Sequence, residues 1–437
     1  MDLFEHLKRH LDEEEVKKLE DSLKKEAVNS LYLNPLMMSS EAFLKEFPLV
    51  TPNPFLTDTF YYPKEYNFGK RLRFDLGCYY IQDASACIVP YVLNPQPNER
   101  ILDMCASPGG KAIRIASLMQ NTGIVVANDN SFSRVLTLSQ NVERFGLINV
   151  LVTTNNMLYM VLDYENYFDR VLLDAPCSGS GMSRKEPKML EDWNENKVLK
   201  LVETQKTLID NAISYCKPGG IVVYSTCSYS YEENEEIIQY ALNSGKVELV
   251  TIEPFDGSYH HKSLPGTLRL HPSRYNGEGQ FVAKLRKKTT GLANASIKFS
   301  RDFKSDPPIK NILEFPHVKY WSLNKASVIA TSFNEDLKFM QVFKTGMELG
   351  KREDFGFVYH HEASRLINPL TTHALNEKDA IAYIEGRELQ VDLPDGWHIV
   401  SYKNVNLGFI RIKNTTAKNY YPKGLRKRNI VSLNITF

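Results

Sequence analysis

Two cysteines follow predicted strands in contexts that could present a thiol for chemistry. Cys177 follows the Asp-Ala-Pro turn that begins at Asp174 in FDRVLLDAPCSGSG, where the proline stiffens the turn and the glycines keep it narrow. Cys227 ends another strand-like run, in GGIVVYSTCSYSYEENEE. A cysteine thiolate is a nucleophile, so these two positions could support covalent catalysis. The alternative for each is a small buried side chain in a strand-end loop.

A glycine-containing loop in RILDMCASPGGKAIRIASLM connects a strand that ends at Asp103 to a helix that starts near Lys111. Its consecutive glycines allow the backbone to approach a ligand closely, beside the helix N-terminus. The loop is neither a P-loop nor G-x-G-x-x-G, which argues against a site for nucleotide phosphates. The next strand runs to Asp129, whose carboxylate could accept both ribose hydroxyls of an adenosine ligand. An ordinary strand–helix turn with a strand-end aspartate is the alternative.

These strand ends belong to an alternating pattern that begins at Arg100. Strand-like runs of Ile, Leu and Val occur at residues 101–103, 124–127, 150–152, 171–174 and 221–224. Helical stretches separate them, at 111–120, 131–145, 199–215 and 232–243. This alternation predicts an α/β fold with a doubly wound, Rossmann-like parallel sheet. In such a sheet Asp174, Cys177 and Cys227 converge on one edge, which makes chance a weaker explanation for the set than for any single motif.

The chain divides by composition into four predicted regions. Residues 1–75 form a helical N-terminal region, and residues 76–288 carry the alternating pattern. Residues 289–310 are basic and polar and contain a Pro-Pro pair, which indicates a linker. The last region, 311–437, carries short β-rich runs at 318–321, 388–391, 397–402 and 407–412.

Composition narrows the class of protein. The 53 Lys and Arg residues nearly balance the 52 Asp and Glu residues, and a net charge of +1 argues against a protein that coats nucleic acid indiscriminately. No apolar run approaches the ~20 residues that span a bilayer, and the charged N-terminus lacks a secretory core. The six cysteines are too sparse for a disulfide scaffold. We therefore expect a cytoplasmic protein without membrane association.

Metal binding and cysteine-protease chemistry are both poorly supported. Cys105, Cys177 and Cys227 lie in separate loops without the paired spacing of zinc ligands, so no metal site is predicted. The ten histidines form no recognisable cysteine-protease signature with any of the cysteines.

Three motifs together resemble the RNA cytosine-carbon-5 methyltransferases of the NOL/NOP/Sun family: DMCASPGGK, DAPCSGSG and STCSYSYEENE. The flanking segments GCYYIQDASA and GEGQFVAKLRK also fit, so the resemblance covers about residues 20–288. The segments GWHIVSY, NLGFIRIKN and NYYPKGLRKR resemble the RNA-binding module of the bacterial 16S ribosomal RNA branch. The resemblance implies S-adenosylmethionine-dependent formation of 5-methylcytosine in RNA, with 16S ribosomal RNA or the small ribosomal subunit as the expected partner. It also implies a PUA-like α+β C-terminal region, and we expect a monomer.

The resemblance assigns catalytic roles residue by residue. Cys227, in the T-C-S motif, corresponds to the family nucleophile that adds to carbon 6 of cytosine. Cys177, in the P-C-S motif, corresponds to the cysteine that assists product release. Asp174 fits as the partner of the cytosine amino group and nitrogen 3, where charge develops on addition. Lys111 resembles the family lysine that lines the site, and a nearby cation favours a thiolate.

The same resemblance places S-adenosylmethionine at the strand ends. The glycine loop is expected to hold its methionine part, Asp129 its ribose and Arg134 its carboxylate, although Arg134 could instead lie on a solvated helix face. Asn156 stands where the family often has an aspartate near the adenine, and its amide can still form hydrogen bonds. The full expected cofactor set is Cys105, Ala106, Ser107, Pro108, Gly109, Gly110, Lys111, Asp129, Arg134, Asn156 and Asp174.

RNA contact is predicted mainly for residues 413–428, which contain six basic residues, no acidic ones, and Tyr420 and Tyr421. A solvated basic tail is the alternative. In the N-terminal region, Tyr32 and Met37 stand where the family usually has Arg and Lys, which removes two expected phosphate contacts. Because the target base must leave its stack, the expected substrate is a single strand or loop of RNA.

Three other functions are compatible with parts of the pattern. A non-catalytic RNA-binding ribosome-assembly factor would keep the fold without binding the cofactor. A DNA cytosine methyltransferase would place its nucleophile in a Pro-Cys context, whereas Cys227 lies in T-C-S. A thiol-based redox or metal protein would use the cysteines differently, and a metal analysis would identify it.

Overall fold

The computed structural model describes residues 2–159, 164–289, 304–305, 318–323, 327–333, 340–354, 356–367, 372–426 and 430. The linker predicted at 289–310 lies outside these residues except for 289, 304 and 305. The helices of the described residues, α1 to α11, are Leu3–Leu7, Glu13–Leu23, Ser40–Glu46, Leu72–Asp75, Ala84–Leu93, Gly110–Leu118, Phe132–Phe145, Lys188–Glu191, Glu195–Tyr215, Glu235–Asn243 and Glu377–Ile384.

The strands of the described residues are numbered β1 to β23 in chain order. The first thirteen are Ser30–Leu33, Thr51–Pro52, Thr59–Tyr61, Tyr79–Ile81, Arg100–Asp103, Ile124–Asn128, Val150–Thr153, Phe168–Asp174, Cys216–Thr226, Val247–Leu249, Ser258–Tyr259, Leu268–Leu270 and Gln280–Lys287. The remaining ten are Lys304–Ser305, Lys319–Leu323, Ser327–Thr331, Val342–Thr345, Met347–Glu353, Gly356–Tyr359, His373–Ala374, Gly396–Tyr402, Val405–Lys413 and Thr416–Asn419.

A ten-stranded mixed sheet forms the centre of the described structure. Five parallel strands occupy its middle in the order β9-β8-β5-β6-β7, and antiparallel β13 pairs with β9. The predicted doubly wound α/β fold is therefore confirmed. The chain enters at β5, runs outward through β6 and β7, and returns to β8 on the other side. The strand order thus reverses between β5 and β8, and in open α/β sheets ligands bind in the crevice at such a point.

The central strands are apolar on both faces, because helices cover both sides of the sheet. Successive residues of a strand point to opposite faces, so Ile101 belongs to one core cluster and Leu102 to the other. Val125 and Val126 divide in the same way. This double burial explains why the predicted runs read as continuous hydrophobic stretches rather than alternating ones.

The C-terminal region is attached to the central sheet in a way that the sequence did not predict. Strand β17 pairs antiparallel with β7 and extends the sheet at that edge. A separate apolar cluster joins the N-terminal sheet, of order β2-β3-β1-β4, to the C-terminal region, with Leu31 and Phe43 in the same core as Tyr383 and Val400. The boundaries of the four predicted regions stay predictions.

The strand predicted at 388–391 is wrong. Only Leu389 forms a bridge, to Ala417, and no regular strand continues on either side of it. Leu389 is buried while Glu388 and Gln390 are exposed, so one anchored side chain produced the alternation that resembled a strand. In the described part of the chain, we find no helix with both the length and the apolar character required to cross a membrane.

Candidate active site

Two cavities open at the carboxyl ends of the central strands, where the strand order reverses. The smaller one measures about 440 Å³ and the larger one about 700 Å³. Of the predicted site residues, the smaller cavity is lined by Cys105, Ala106, Ser107, Pro108, Gly110, Lys111, Asp174 and Cys227. The larger is lined by Cys105, Ser107, Pro108, Asp129, Arg134, Asn156, Asp174, Cys177 and Cys227. Asp174 and Cys227 thus lie where the two cavities meet, whereas Gly109 lines neither of them.

The two cysteines predicted to carry the chemistry are neighbours. Their sulfur atoms lie 3.4 Å apart, and both thiols are free and half-buried. This separation exceeds the ~2.05 Å of a disulfide bond and corresponds to an S–H···S contact. The hydrogen bond with Cys227 and burial raise the pKa of Cys177 well above its ordinary value. Cys177 therefore retains its proton and can donate it to the Cys227 sulfur.

Lys111 and Asp174 form an ion pair on the wall of the smaller cavity. The Lys111 ammonium donates to Asp174 Oδ2 at 2.8 Å, and the Ser225 hydroxyl donates to Oδ1 at 2.6 Å. Burial disfavours the ammonium form, but the Asp174 carboxylate outweighs it and raises the pKa of Lys111. Because both carboxylate oxygens accept hydrogen bonds, the orientation of the Asp174 side chain is fixed.

Asp103, at the end of β5, is a buried acid that sequence reasoning treated only as a strand end. Its side chain is fully buried and lines the smaller cavity. Burial, followed by repulsion from the Asp174 carboxylate, raises the pKa of Asp103 to about 8. The sequence did indicate a functional position for Asp103, because this residue ends the first parallel strand, where the strand order reverses.

The glycine loop is closely packed, which explains its residue types. Gly109 has φ +114°, a conformation that favours glycine. A Cβ on Gly110 would lie 2.6 Å from Nε2 of Gln82. The Tyr32 hydroxyl donates to the Gly110 carbonyl at 2.8 Å, and Tyr32 is fully buried. Tyr32 therefore supports the loop from the N-terminal sheet, and this position does not face RNA.

Asp129, on the wall of the larger cavity, has a buried oxygen that could accept a hydrogen bond from a ribose. Its Oδ1 accepts from the Ser131 amide at 3.0 Å, and its Oδ2 lies 3.3 Å from the Arg134 guanidinium. Within the described residues Oδ2 accepts no hydrogen bond although it is buried. A ribose hydroxyl could satisfy this acceptor. Arg134 also donates to the Ser107 carbonyl at 2.9 Å, so its guanidinium already ties the glycine loop to β6.

Two further predicted cofactor residues, Asn156 and Cys105, also line the larger cavity. Asn156 is exposed, and its side-chain oxygen accepts from the Leu158 amide at 3.1 Å. Burial raises the pKa of Cys105, so its thiol stays protonated. Asn128, beside Asp129, was not predicted to have a role, yet its amide donates to the Met104 carbonyl at 3.1 Å and accepts from Thr153 at 3.0 Å. It fixes the ends of three neighbouring strands relative to one another.

The basic C-terminal segment presents aromatic and cationic side chains, with one correction to the prediction. Tyr420 packs against Trp397 with 4.5 Å between ring centroids. Arg411 lies over the Trp397 ring at 5.5 Å and Lys418 over the Tyr420 ring at 5.0 Å. Tyr421, which was predicted to contact RNA, is instead buried, because its ring fills the C-terminal core.

A metal centre finds no support within the described ranges, where no three His, Cys, Asp or Glu side chains are grouped to hold an ion.

Comparison with known families matches three segments of the chain. Residues 90–286 match 16S rRNA methyltransferase RsmB/F. Residues 2–84 match the N-terminal domain of 16S rRNA methyltransferase RsmF, and residues 370–427 match the methyltransferase RsmF PUA domain. Together these matches span the N-terminal region, the central sheet and the C-terminal region.

Individual relatives and solved structures point the same way. Ribosomal RNA small subunit methyltransferase F of Shewanella piezotolerans is 31% identical over 92% of this chain and 91% of its own. The tRNA (cytosine(49)-C(5))-methyltransferase of Pyrococcus abyssi is 39% identical over 56% of this chain and 83% of its own. A methyltransferase homolog from Pyrococcus horikoshii has a TM-score of 0.57 and 28% identity, over 65% of this chain and 93% of its own. NSun6 from the same organism, solved with SFG, shares the fold at a TM-score of 0.59 and 24% identity, over 65% and 97% of the two chains.

Proposed function

Because this chain belongs to the RsmB/F family of 16S rRNA methyltransferases, we propose that it methylates carbon 5 of cytosine in 16S ribosomal RNA through a covalent Cys227–cytosine adduct. Membership confirms the resemblance to the NOL/NOP/Sun family, the class of RNA methyltransferase and the dependence on S-adenosylmethionine. It also confirms the PUA-type C-terminal region. The target atom, the adduct and the individual residue roles make up the proposal.

The observation that carries the proposal is the 3.4 Å contact between Cys177 and Cys227, beside the Lys111–Asp174 ion pair. Carbon 5 of cytosine is a poor nucleophile until a thiolate adds to carbon 6 and converts the ring to an enamine. We assign this addition to Cys227. Asp174 would accept hydrogen bonds from the cytosine amino group and from nitrogen 3, which would take up a proton from water as the thiolate adds and return it to water on release. These hydrogen bonds would stabilise the charge that develops on addition.

The cofactor residues follow the two cavities. When bound, S-adenosylmethionine supplies a methyl group on a sulfonium, which is the electrophile that carbon 5 requires. Asp129 would hold the ribose and Asn156 would lie near the adenine, while the glycine loop and Arg134 would hold the methionine part. Because Asp174 and Cys227 line both cavities, the base and the cofactor can meet there.

Product release completes the reaction. After methylation, the proton on carbon 5 passes to water, its electron pair restores the 5,6 double bond, and the C6–S bond breaks to return the Cys227 thiolate. The protonated Cys177 would donate a hydrogen bond to the departing sulfur and so stabilise it. This assigns Cys177 to release rather than to addition.

The substrate is proposed from the relatives and from the C-terminal surface. Relatives that align over nine-tenths of the chain are named for the small ribosomal subunit, and a relative of the catalytic region is named for carbon 5 of cytosine. The exposed cations Arg411 and Lys418 beside Trp397 and Tyr420 suit RNA contact. We propose that the protein acts as a monomer.

The test is trapping of the protein on RNA that contains 5-fluorocytidine, in which the carbon 5 proton is replaced and release is blocked. The wild-type protein should form a denaturation-resistant complex, and Cys227→Ala should abolish both the complex and methylation. Bisulfite sequencing of 16S ribosomal RNA from a deletion strain identifies the cytosine. Methylation by Cys227→Ala at the wild-type rate would overturn the assignment.

A further inference from the structure

A single buried carboxylate, Glu233, lies behind both cysteines. It is fully buried, and Ser178, next to Cys177, donates to it twice: its amide to Oε1 at 2.8 Å and its hydroxyl to Oε2 at 2.6 Å. Ser228, next to Cys227, donates its hydroxyl to Oε2 at 2.5 Å. The two serines that follow the two cysteines are therefore held by the same side chain.

The two cysteine loops depend on Glu233 to different degrees. The Cys227 loop has other attachments, because Asn234 donates to the Ser228 carbonyl at 2.8 Å and the Gly181 amide donates to the Cys227 carbonyl at 2.8 Å. Between Pro176 and Ser178, the Cys177 loop is held by Glu233, by Gln205 and by the Ser178 hydroxyl, which lies 3.0 Å from the Ser228 hydroxyl. Gln205 donates to the Pro176 carbonyl at 2.9 Å and to Glu233 itself at 3.1 Å. Loss of Glu233 therefore loosens Cys177 more than Cys227.

We propose that Glu233 is a positioning residue that holds Cys177 against Cys227 and thereby controls product release. The inference rests on the proposed cytosine chemistry, in which Cys227 adds and Cys177 assists release. Adduct formation does not use Cys177, so it survives displacement of Cys177. Breaking of the C6–S bond needs the Cys177 proton near the departing sulfur, so it slows when the 3.4 Å contact is lost.

Two substitutions at Glu233 separate position from charge. Glu233→Ala leaves the Ser178 amide without its acceptor and releases the loop. Glu233→Gln keeps an oxygen for the Ser178 and Gln205 donors, while its amide can donate to the two serine hydroxyls, which can accept as well as donate. We therefore expect the glutamine variant to retain the loop and the alanine variant to lose it.

The experiment measures denaturation-resistant complexes on two RNAs, one with ordinary cytidine and one with 5-fluorocytidine. Glu233→Ala should lower turnover by about 10- to 100-fold, the range expected for misplacement of a catalytic group by about 1 Å. It should also accumulate the complex on ordinary RNA, as we expect of Cys177→Ala, and still trap on 5-fluorocytidine RNA. Glu233→Gln should turn over without accumulation. Asn234→Ala, which loosens the Cys227 loop, should trap slowly and accumulate nothing.

The outcomes distinguish the inference from the reaction on which it rests. If Cys227→Ala still methylates, or Cys177→Ala accumulates no complex, the proposed chemistry fails. If Cys177→Ala accumulates the complex and Glu233→Ala does not, only the positioning role fails. Equal accumulation by the glutamine and alanine variants would assign the effect to charge and overturn the inference. Should Glu233→Ala not fold, Ser178→Ala removes the hydroxyl, which is one of the two Ser178 donors to Glu233, and absence of accumulation in that variant also overturns the inference.

Discussion

The Lys111 ammonium lies 2.8 Å from Asp174 Oδ2 on the wall of the smaller cavity, where Cys227 also lies. Two loops that are far apart in the chain supply these charges, one from the start of α6 and one from the end of β8. The pair gives the site a fixed cation beside the cysteine that would carry a negative charge. The same Lys111 side chain therefore favours the thiolate form of Cys227 and fixes the orientation of the Asp174 carboxylate.

Lys111→Met should lower the turnover number by about 10²- to 10³-fold, the cost of removing one preorganised charge at a reacting centre. The substitution removes the cation beside Cys227 and leaves Asp174 without its ion-pair partner, while RNA binding elsewhere is untouched. Steady-state methylation with saturating RNA measures the effect. Lys217→Met is the matched control, because Lys217 pairs with Asp169 away from both cavities and should turn over normally. A Lys111→Met rate within a few-fold of the control would remove Lys111 from the reaction.

Asp129→Ala should weaken S-adenosylmethionine binding by about 10- to 100-fold, because a hydrogen bond to a charged group contributes about 1.5–3 kcal/mol. The buried Oδ2 is the acceptor that would be lost. Calorimetric titration of the RNA-free protein measures the dissociation constant. Asp210→Ala provides a control, since Asp210 bonds to Tyr240 on the exposed side of α9. Failure of the wild-type protein to bind the cofactor would instead favour the assembly-factor alternative.

Asp103→Asn should change how stability depends on pH. The native pKa of Asp103 is about 8 against 3.8 for the ordinary group, so between these values the unfolded chain loses a proton that the native state keeps. The free energy of unfolding therefore falls as pH rises through this window, by about 1.4 kcal/mol per pH unit for a single group. Asparagine does not titrate, so the variant should lack this contribution. Urea unfolding of both proteins at pH 5 and pH 7.5 gives the comparison, and identical pH dependence would contradict the assignment.

Trp397→Ala should weaken RNA binding by about 1–3 kcal/mol for each base that stacks on the aromatic surface. The salt dependence of binding should stay unchanged, because the substitution removes no charge. Arg411→Ala, in contrast, should reduce the slope of log K against log salt by about one. Tyr421→Phe is the control in the same basic segment, since its buried ring cannot meet RNA. Filter binding over a range of salt concentrations measures all three variants.

The sequence predicted the central sheet well because the strands of this sheet are short apolar runs that alternate with helices along the chain. Each run, such as 124–127 or 150–152, is buried, and its side chains divide between the two core clusters on the two faces of the sheet. The meeting of Cys177 and Cys227 also followed, since parallel strands end at the same edge. These inferences needed only local patterns and one topological rule.

The parts that could not be predicted depend on contacts between distant segments. The position of β17 on the edge of the sheet depends on its register with β7, and nothing in the composition of Val342–Thr345 specifies that partner. The support that Tyr32 gives to Gly110 crosses from the N-terminal sheet to the glycine loop. Glu233 was visible only as one acid in EENEE, because its hydrogen bonds to Ser178 and Ser228 join segments whose contact the sequence does not show.

The N-terminal and C-terminal regions share an apolar core, which fixes the position of one region relative to the other. Tyr383 and Val400 pack in the same cluster as Leu31 and Phe43, and β17 pairs with β7 at the edge of the central sheet. A large apolar interface suppresses the relative motion that is usual between regions of one chain. We therefore expect the distance between the Trp397 surface and Cys227 to vary little. If the C-terminal surface binds RNA as proposed, we expect that distance to favour cytosines at a matching separation, in the folded RNA, from the element that this surface binds.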